Sequence, residues 1–438
     1  MGKRKKKRQG SMQAGRASSG SVPAGRGPSQ KTSPQRTASQ RVSLGAVSSA
    51  GASSGAKEGR LWIILFLIIF INGFEAGGYQ ASLWNIGQTY DLSTLSMGLF
   101  ASVELFATML APLLLGAWAD RSNKVNCMRI LLGLQFAAAL TALATRSQPL
   151  FLGSVFFLGL TTSALQFISI AALADNYPVS GKRKIGYMTS MYAFGAFVSP
   201  LVVSFYLNLG FGWRTLFALL TSGSLAAFTG LFISKGEKKE GSAVRTSQSA
   251  QGGSFVLAGV LLLCVVMCIY VGFENGFAFF VDTLFTDVLK SATGKLALSL
   301  FWVVMIPSRV LVGRFSAKAY RILLISVIAI PFITVIISML SSSLAVLVLC
   351  VFLGFFSGAI YPSVLTILLR FSGTRTATAT GMITTATGIG GFAFTALTGF
   401  VGDRWGMRTA MLALAGCFVF SLASVLALAR IRTGKKAG

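Results

Sequence analysis

From Leu61 onward the chain alternates long apolar runs with short polar breaks, and twelve runs are long enough to cross a bilayer as helices of ~20 residues. They cover 61–82, 96–119, 130–145, 150–174, 185–207, 213–233, 254–284, 295–316, 322–340, 343–369, 378–400 and 407–429. The third run is short and the seventh long. Residues 1–60 follow another rule: they are rich in Ser, Gly, Ala and Arg, with Glu58 their only acid. That composition predicts a disordered tail. The pattern thus predicts a basic tail (1–60), six spans (61–233), a polar linker (234–253), six further spans (254–430) and a short basic tail (431–438).

Composition agrees with lipid as the solvent. The 438 residues are 53% hydrophobic and 12% charged, whereas soluble domains run near a quarter charged. The net charge of +27 and the run Lys3-Arg4-Lys5-Lys6-Lys7-Arg8 invite a nucleic-acid reading, but the placement of the charges opposes it. Of 39 Lys and Arg, 32 fall in the two tails and in the loops after even-numbered spans. This bias places both termini in the cytoplasm, with the plasma membrane as the default location. The first tail fits a segment drawn to anionic lipid headgroups, a transit peptide without its amphipathic face, or a regulatory segment phosphorylated around Arg36-Thr37-Ala38-Ser39.

The two sets of six spans repeat one another. Gly73-Phe74-Glu75 returns as Gly272-Phe273-Glu274, an offset of 199, with Gly77 and Gly276 two residues on. Gly116 maps to Gly313 at 197, and Arg129-Ile130-Leu131-Leu132 to Arg321-Ile322-Leu323-Leu324 at 192. Leu158-Gly159 maps to Leu353-Gly354, and Gly186 and Gly195 to Gly381 and Gly390, all at 195; Arg214-Thr215 maps to Arg408-Thr409 at 194. Six spans is an even number, so both halves share one orientation. The expected fold is all-α and integral to the membrane: two parallel six-helix repeats with a substrate site between them near the midplane.

The loop after the second span reads Gly116-Ala117-Trp118-Ala119-Asp120-Arg121-Ser122-Asn123-Lys124. It resembles the Gly-x-x-x-Asp-Arg-x-Gly-Arg/Lys signature of the major facilitator superfamily, and the resemblance extends from residue 61 to about 430. Gly116, Asp120, Arg121 and Lys124 match, and the resemblance makes them a conformational-switch loop. Asn123 replaces the turn glycine, as a residue that tolerates a left-handed turn. The second half has Ala317-Lys318 where Asp-Arg would stand, so gating is expected to be asymmetric. Within the superfamily the chain is most similar to proton-coupled fucose and glucose permeases, through Tyr270-Val271-Gly272-Phe273-Glu274-Asn275-Gly276 and Phe301-Trp302…Ser308-Arg309…Val312-Gly313. Gly186, Gly195 and Pro200 instead resemble a motif of proton-driven exporters, with Ser199 in place of its glycine; close helix packing explains the same glycines.

Ionisable groups at membrane depth cost free energy and so point to function. Here the main ones are Glu75, Glu104, Glu274, Asp282 and Arg309. The resemblance places Glu75 and Glu274 on cavity-lining helices, facing each other, with Glu104 beside the same cavity; such carboxyls can take up and release protons. A glutamate that stays protonated and bonds a neighbouring helix is the competing structural reading. Asp282 is expected to be a solvated vestibule residue. Arg309 either joins the coupling network or forms a structural ion pair. One cation facing three glutamates disfavours a phosphate ester or dicarboxylate as cargo and suits a neutral sugar or a cation. Candidate contacts are Asn72, Tyr79, Gln80, Gln135, Gln166, Asn275, Trp302 and Tyr361.

No histidine is present, which excludes an imidazole relay. The five cysteines show no metal spacing, so no metal and no cofactor is expected. No nucleophile–base arrangement or phosphate-binding loop points to an enzyme. The sequence therefore predicts a secondary transporter, functional as a monomer, that takes up a small neutral solute such as a sugar together with protons. A proton-antiport exporter of amphipathic compounds and a non-transporting membrane receptor remain as alternatives.

Overall fold

A computed structural model of the chain describes residues 61–176, 181–233, 255–373 and 376–434. The tail 1–60 and the linker 234–253 lie outside the described residues, as does the side chain of Asp120. The described chain is helical from end to end: α1 (Leu61–Tyr90), α2 (Thr94–Arg121), α3 (Lys124–Ala144), α4 (Gln148–Asn176), α5 (Gly181–Asn208), α6 (Thr215–Ile233), α7 (Leu257–Thr283), α8 (Gly294–Arg314), α9 (Ala319–Met339), α10 (Ser343–Leu368), α11 (Thr376–Trp405) and α12 (Met407–Gly434). Eleven of them are long and apolar enough to cross a membrane; the exception, α11, opens on a Thr- and Gly-rich stretch. The helices outrun the apolar runs, because backbone hydrogen bonding continues through their polar flanks.

Local chemistry sets several helix starts. Ser93 caps α2 by accepting from Ser96 N at 3.2 Å. Asn123 caps α3, accepting from Val125 N at 3.0 Å and Asn126 N at 3.3 Å. This corrects its reading as a left-handed turn residue: φ is −68° and ψ is 116°, the extended conformation an N-cap requires. The equivalent loop of the second half has no such cap. It turns through a short 3-10 segment, Ser316–Lys318, and Lys318 offers no side chain to α9.

The repeat is preserved in three dimensions. Asp91 after α1 and Lys290 after α7, 199 positions apart, are both left-handed with φ of 52°. Gly210 after α5 and Gly406 after α11 have φ of 84° and 85°, where glycine avoids a Cβ clash. Arg214 bonds the Thr145 carbonyl at 3.1 Å, and Arg408 bonds Ser341 Oγ at 3.3 Å. The recurring glycines serve backbone contact. A Cβ on Gly195 (α5) would strike the Phe70 carbonyl of α1, and one on Gly390 (α11) the Cys268 carbonyl of α7. Gly73 and Gly77 present a small-residue face to Tyr192 and Ala196 of α5, as Gly272 and Gly276 do to Phe394 and Thr398 of α11.

α1–α6 and α7–α12 thus form two like bundles, which meet through α2 against α11, α5 against α8 and α1 against α7. We call the side where α1 starts and α12 ends the terminal face, and the other the far face. Their contacts gather in the far-face half. Ser102 bonds the Phe392 carbonyl and Ser299 the Phe197 carbonyl, each at 3.1 Å. Trp302 Nε1 donates to Gln80 Oε1 at 3.1 Å, and Trp84 Nε1 to Asp287 Oδ1 at 2.9 Å. The Tyr79 and Phe279 rings meet edge to face at 5.7 Å, and Gly98 packs on Gly399.

Candidate functional site

Each bundle carries one polar cluster near mid-span. In the C-terminal bundle, Gly272 and Gly276 hold α7 tightly against α11 and fix the register of Glu274 between them. Arg309 of α8 approaches Glu274 Oε1 to 3.9 Å through Nη2. The Glu274 side chain is 11% accessible and that of Arg309 is 37% accessible, so the pair is open on the arginine side. Tyr270, one turn before Glu274, and Tyr361 of α10 lie within electrostatic reach of both. Tyr361 is 41% exposed on the terminal-face side of this cluster.

In the N-terminal bundle the cluster is closed. Thr162 of α4 donates to Glu75 Oε2 at 3.3 Å, and Gln135 of α3 donates to Thr162 Oγ1 at 3.2 Å. Asn72 gives its Nδ2 to the Thr162 carbonyl at 2.9 Å and accepts from Gln135 at 3.4 Å; Ser224 of α6 bonds Gln135 at 3.3 Å. All five of these side chains are buried. Glu104 of α2 adjoins this network, buried over Gly159.

The sequence-derived candidates therefore separate into groups. Glu274 and Arg309 come together, with Tyr361 nearby. Asn72, Gln135 and Glu75 form the closed network, so the first two are engaged by the protein itself. Gln80 and Trp302 bond each other across the bundles, and Tyr79 donates to the Phe100 carbonyl at 3.2 Å. Asn275 bonds the Val271 carbonyl of its own helix at 2.9 Å, and Gln166 is half-buried on α4. In the switch loop Gly116 has open space where a Cβ would stand, Arg121 is exposed, and Lys124 opens α3.

The expectation of a solvated Asp282 is corrected. Asp282 is 1% exposed and bound by Lys295 Nζ at 2.6 Å. The pair closes because Gly294 has no side chain: a Cβ there would lie 2.5 Å from Asp282 Oδ1. Lys295 went unread as a site residue because it stands at the first residue of an apolar run, where a lysine ordinarily reaches water. Thr162 was also missed, though it lies three residues after the repeated Leu158-Gly159.

The sequence profile of the Major Facilitator Superfamily matches residues 65–395. No curated protein matches by sequence. Among solved structures, a bacterial homolog to the human lysosomal transporter Spinster, inward-facing and occupied, superposes with a TM-score of 0.70 at 15% identity, covering 86% of this chain and 98% of that one. A D-xylose-proton symporter gives 0.65 at 14% identity, with 84% and 96% covered. FucP in its outward conformation gives 0.55 at 16% identity, with 84% and 98% covered. With twelve long helices in two like bundles among the described residues, the chain belongs to the Major Facilitator Superfamily and is a multi-pass membrane transporter.

Proposed function

We propose that this transporter takes up a small neutral solute, a sugar or similar polyol, together with protons, by alternating access. The observation that carries the reading is the Glu274–Arg309 pair: opposite charges at mid-membrane, 3.9 Å apart and open on one side. Protonation of Glu274 releases Arg309, and the freed guanidinium can then hold substrate hydroxyls. The pair is electrically neutral, and Glu75 and Glu104 are enclosed in the other bundle. A neutral cargo therefore needs no further counter-charge beside the pair.

The arrangement of the bundles supports the same cycle. They are joined in their far-face halves, and Arg309 and Tyr361, both partly exposed, stand in the terminal-face halves of α8 and α10. With both termini cytoplasmic, as the basic residues suggest, this is an inward-facing state of a protein in the plasma membrane. The likeness to an inward-facing structure supports the assignment, and the likeness to a D-xylose-proton symporter supports the cargo class. The sequence motifs favour the fucose and glucose permease branch.

Proteoliposomes test the reading. Uptake of radiolabelled pentoses and hexoses should accelerate under an inward proton gradient. Uptake slowed by that gradient would instead favour proton-antiport export.

A further inference from the structure

The two seams between the bundles are related by the repeat but are closed differently. Where α2 meets α11, Gly98 and Gly399 pack backbone to backbone, and Met97 fills the space beside Gly87 of α1. Where α5 meets α8, the position equivalent to Gly399 at the offset of 195 is Ser204, and that equivalent to Gly87 at 199 is Thr286. Both line a cavity of about 470 Å³ that the far-face closure leaves between the bundles. Its size is that of a small-molecule site, which runs to about 300–1,000 Å³. Backbone contact closes the first seam, so closure does not call for a polar cavity at the second.

The wall is polar on both sides. Trp84 and Asn85 of α1 and Asn208 of α5 face Thr286, Lys290 and Ser291 of the C-terminal bundle across it. Asp282 and Lys295 also reach the wall, but they bind each other at 2.6 Å and cancel in charge. The counterpart of Asp282 at 199 is Leu83, fully buried, so the first seam has no carboxylate at that position. Asp287 is bound to Trp84 at 2.9 Å and is not part of the wall. Lys290 stands apart: it is exposed, it lines the cavity, and among the described residues it forms no ion pair. It also holds a left-handed φ of 52°, which costs a lysine free energy.

We propose that this cavity binds a hydroxylated monocarboxylate and, by bridging the bundles, holds the far face closed: an inhibitory site separate from the Glu274–Arg309 cluster. One uncompensated ammonium suits one carboxylate, held by a charge-assisted hydrogen bond. A doubly charged phosphate would meet Asp282 and Asp287 with a single free cation to balance it. The amides of Asn85 and Asn208 and the hydroxyls of Ser204, Thr286 and Ser291 can pair with ligand hydroxyls. Because the walls belong to different bundles, far-face opening takes the site apart, and a ligand bound there favours the closed state by its differential affinity. The inference rests on alternating access alone, and not on the cargo or its coupling ion.

The test uses the purified full-length chain in detergent, with sodium gluconate as the probe and sodium chloride and sodium acetate as controls. Gluconate should raise the unfolding temperature saturably and above both controls. It should also slow severalfold the labelling of a cysteine placed at Ser102, which is buried against α11 on the other seam. Both effects should be lost in Lys290→Gly, which suits the left-handed backbone, and kept in Lys290→Arg. Should Lys290→Gly not fold, Ser204→Phe, which fills the cavity from α5, decides. A shift no larger than the controls give, a response undiminished in the folded variant, or labelling that gluconate does not slow overturns the proposal. Neither readout involves the transported solute, so failure of sugar uptake alone counts against the proposed function and leaves this site standing.

Discussion

Trp84 Nε1 donates to Asp287 Oδ1 at 2.9 Å, so an indole on α1 is bound to a carboxylate from the π-helical turn Leu284–Val288 that ends α7. The bond crosses from one bundle to the other on the far face. Two residues before that turn, Asp282 is held by Lys295. The far-face closure is thus built from an exposed interbundle bond over a buried pair within one bundle.

Trp84→Phe keeps the ring and removes the donor. A hydrogen bond of this kind contributes about 1 kcal/mol, roughly a fivefold shift between two states. The variant should favour far-face opening by that factor. The measurement is the labelling rate of a cysteine placed at Asn208, read with and without the Trp84 change. An unchanged rate would show that the bond does not hold the face closed.

Removing one partner of the buried pair strands the other. Lys295→Met should destabilise the protein by about 3–5 kcal/mol, and pairing it with Asp282→Leu should restore most of the loss. Thermal unfolding of the single and double variants checks this. A single variant as stable as wild type would contradict the burial of Asp282.

The glycines predict opposite outcomes at different sites. Gly195→Leu and Gly390→Leu drive a side chain into a neighbouring backbone and should each cost about 1–3 kcal/mol or prevent folding. Gly116→Ala meets open space within α2, and in a helix Ala is favoured over Gly by up to about 1 kcal/mol. Its folded yield should match or exceed wild type, so any loss of transport there reports on another conformation of the switch loop. Expression and size-exclusion profiles of the three variants separate these cases.

Much of this architecture was legible in the sequence because lipid permits few solutions. A long apolar run must become a helix, and an offset of 192–199 must reappear as two like bundles. The offset of 199 that pairs Glu75 with Glu274 also pairs the left-handed residues Asp91 and Lys290. Side-chain pairing was less legible. Asp282 and Lys295 sit at the ends of apolar runs, where sequence implies water, and only the absence of a side chain at Gly294 lets them close together. Equivalent helix positions also did not imply equivalent surroundings. Glu75 meets the Thr162 hydroxyl of α4, itself bonded by Gln135 of α3, whereas Glu274 meets Arg309, because the partners come from positions where the repeat has diverged.

In the proposed cycle Glu274, by exchanging a proton against Arg309, couples solute movement to the proton gradient. The most direct measurement compares wild type and Glu274→Gln in proteoliposomes, once for concentrative uptake driven by an inward proton gradient and once for solute exchange with no gradient. Glu274→Gln should lose concentrative uptake and keep exchange. Concentrative uptake at the wild-type level in Glu274→Gln would contradict that coupling.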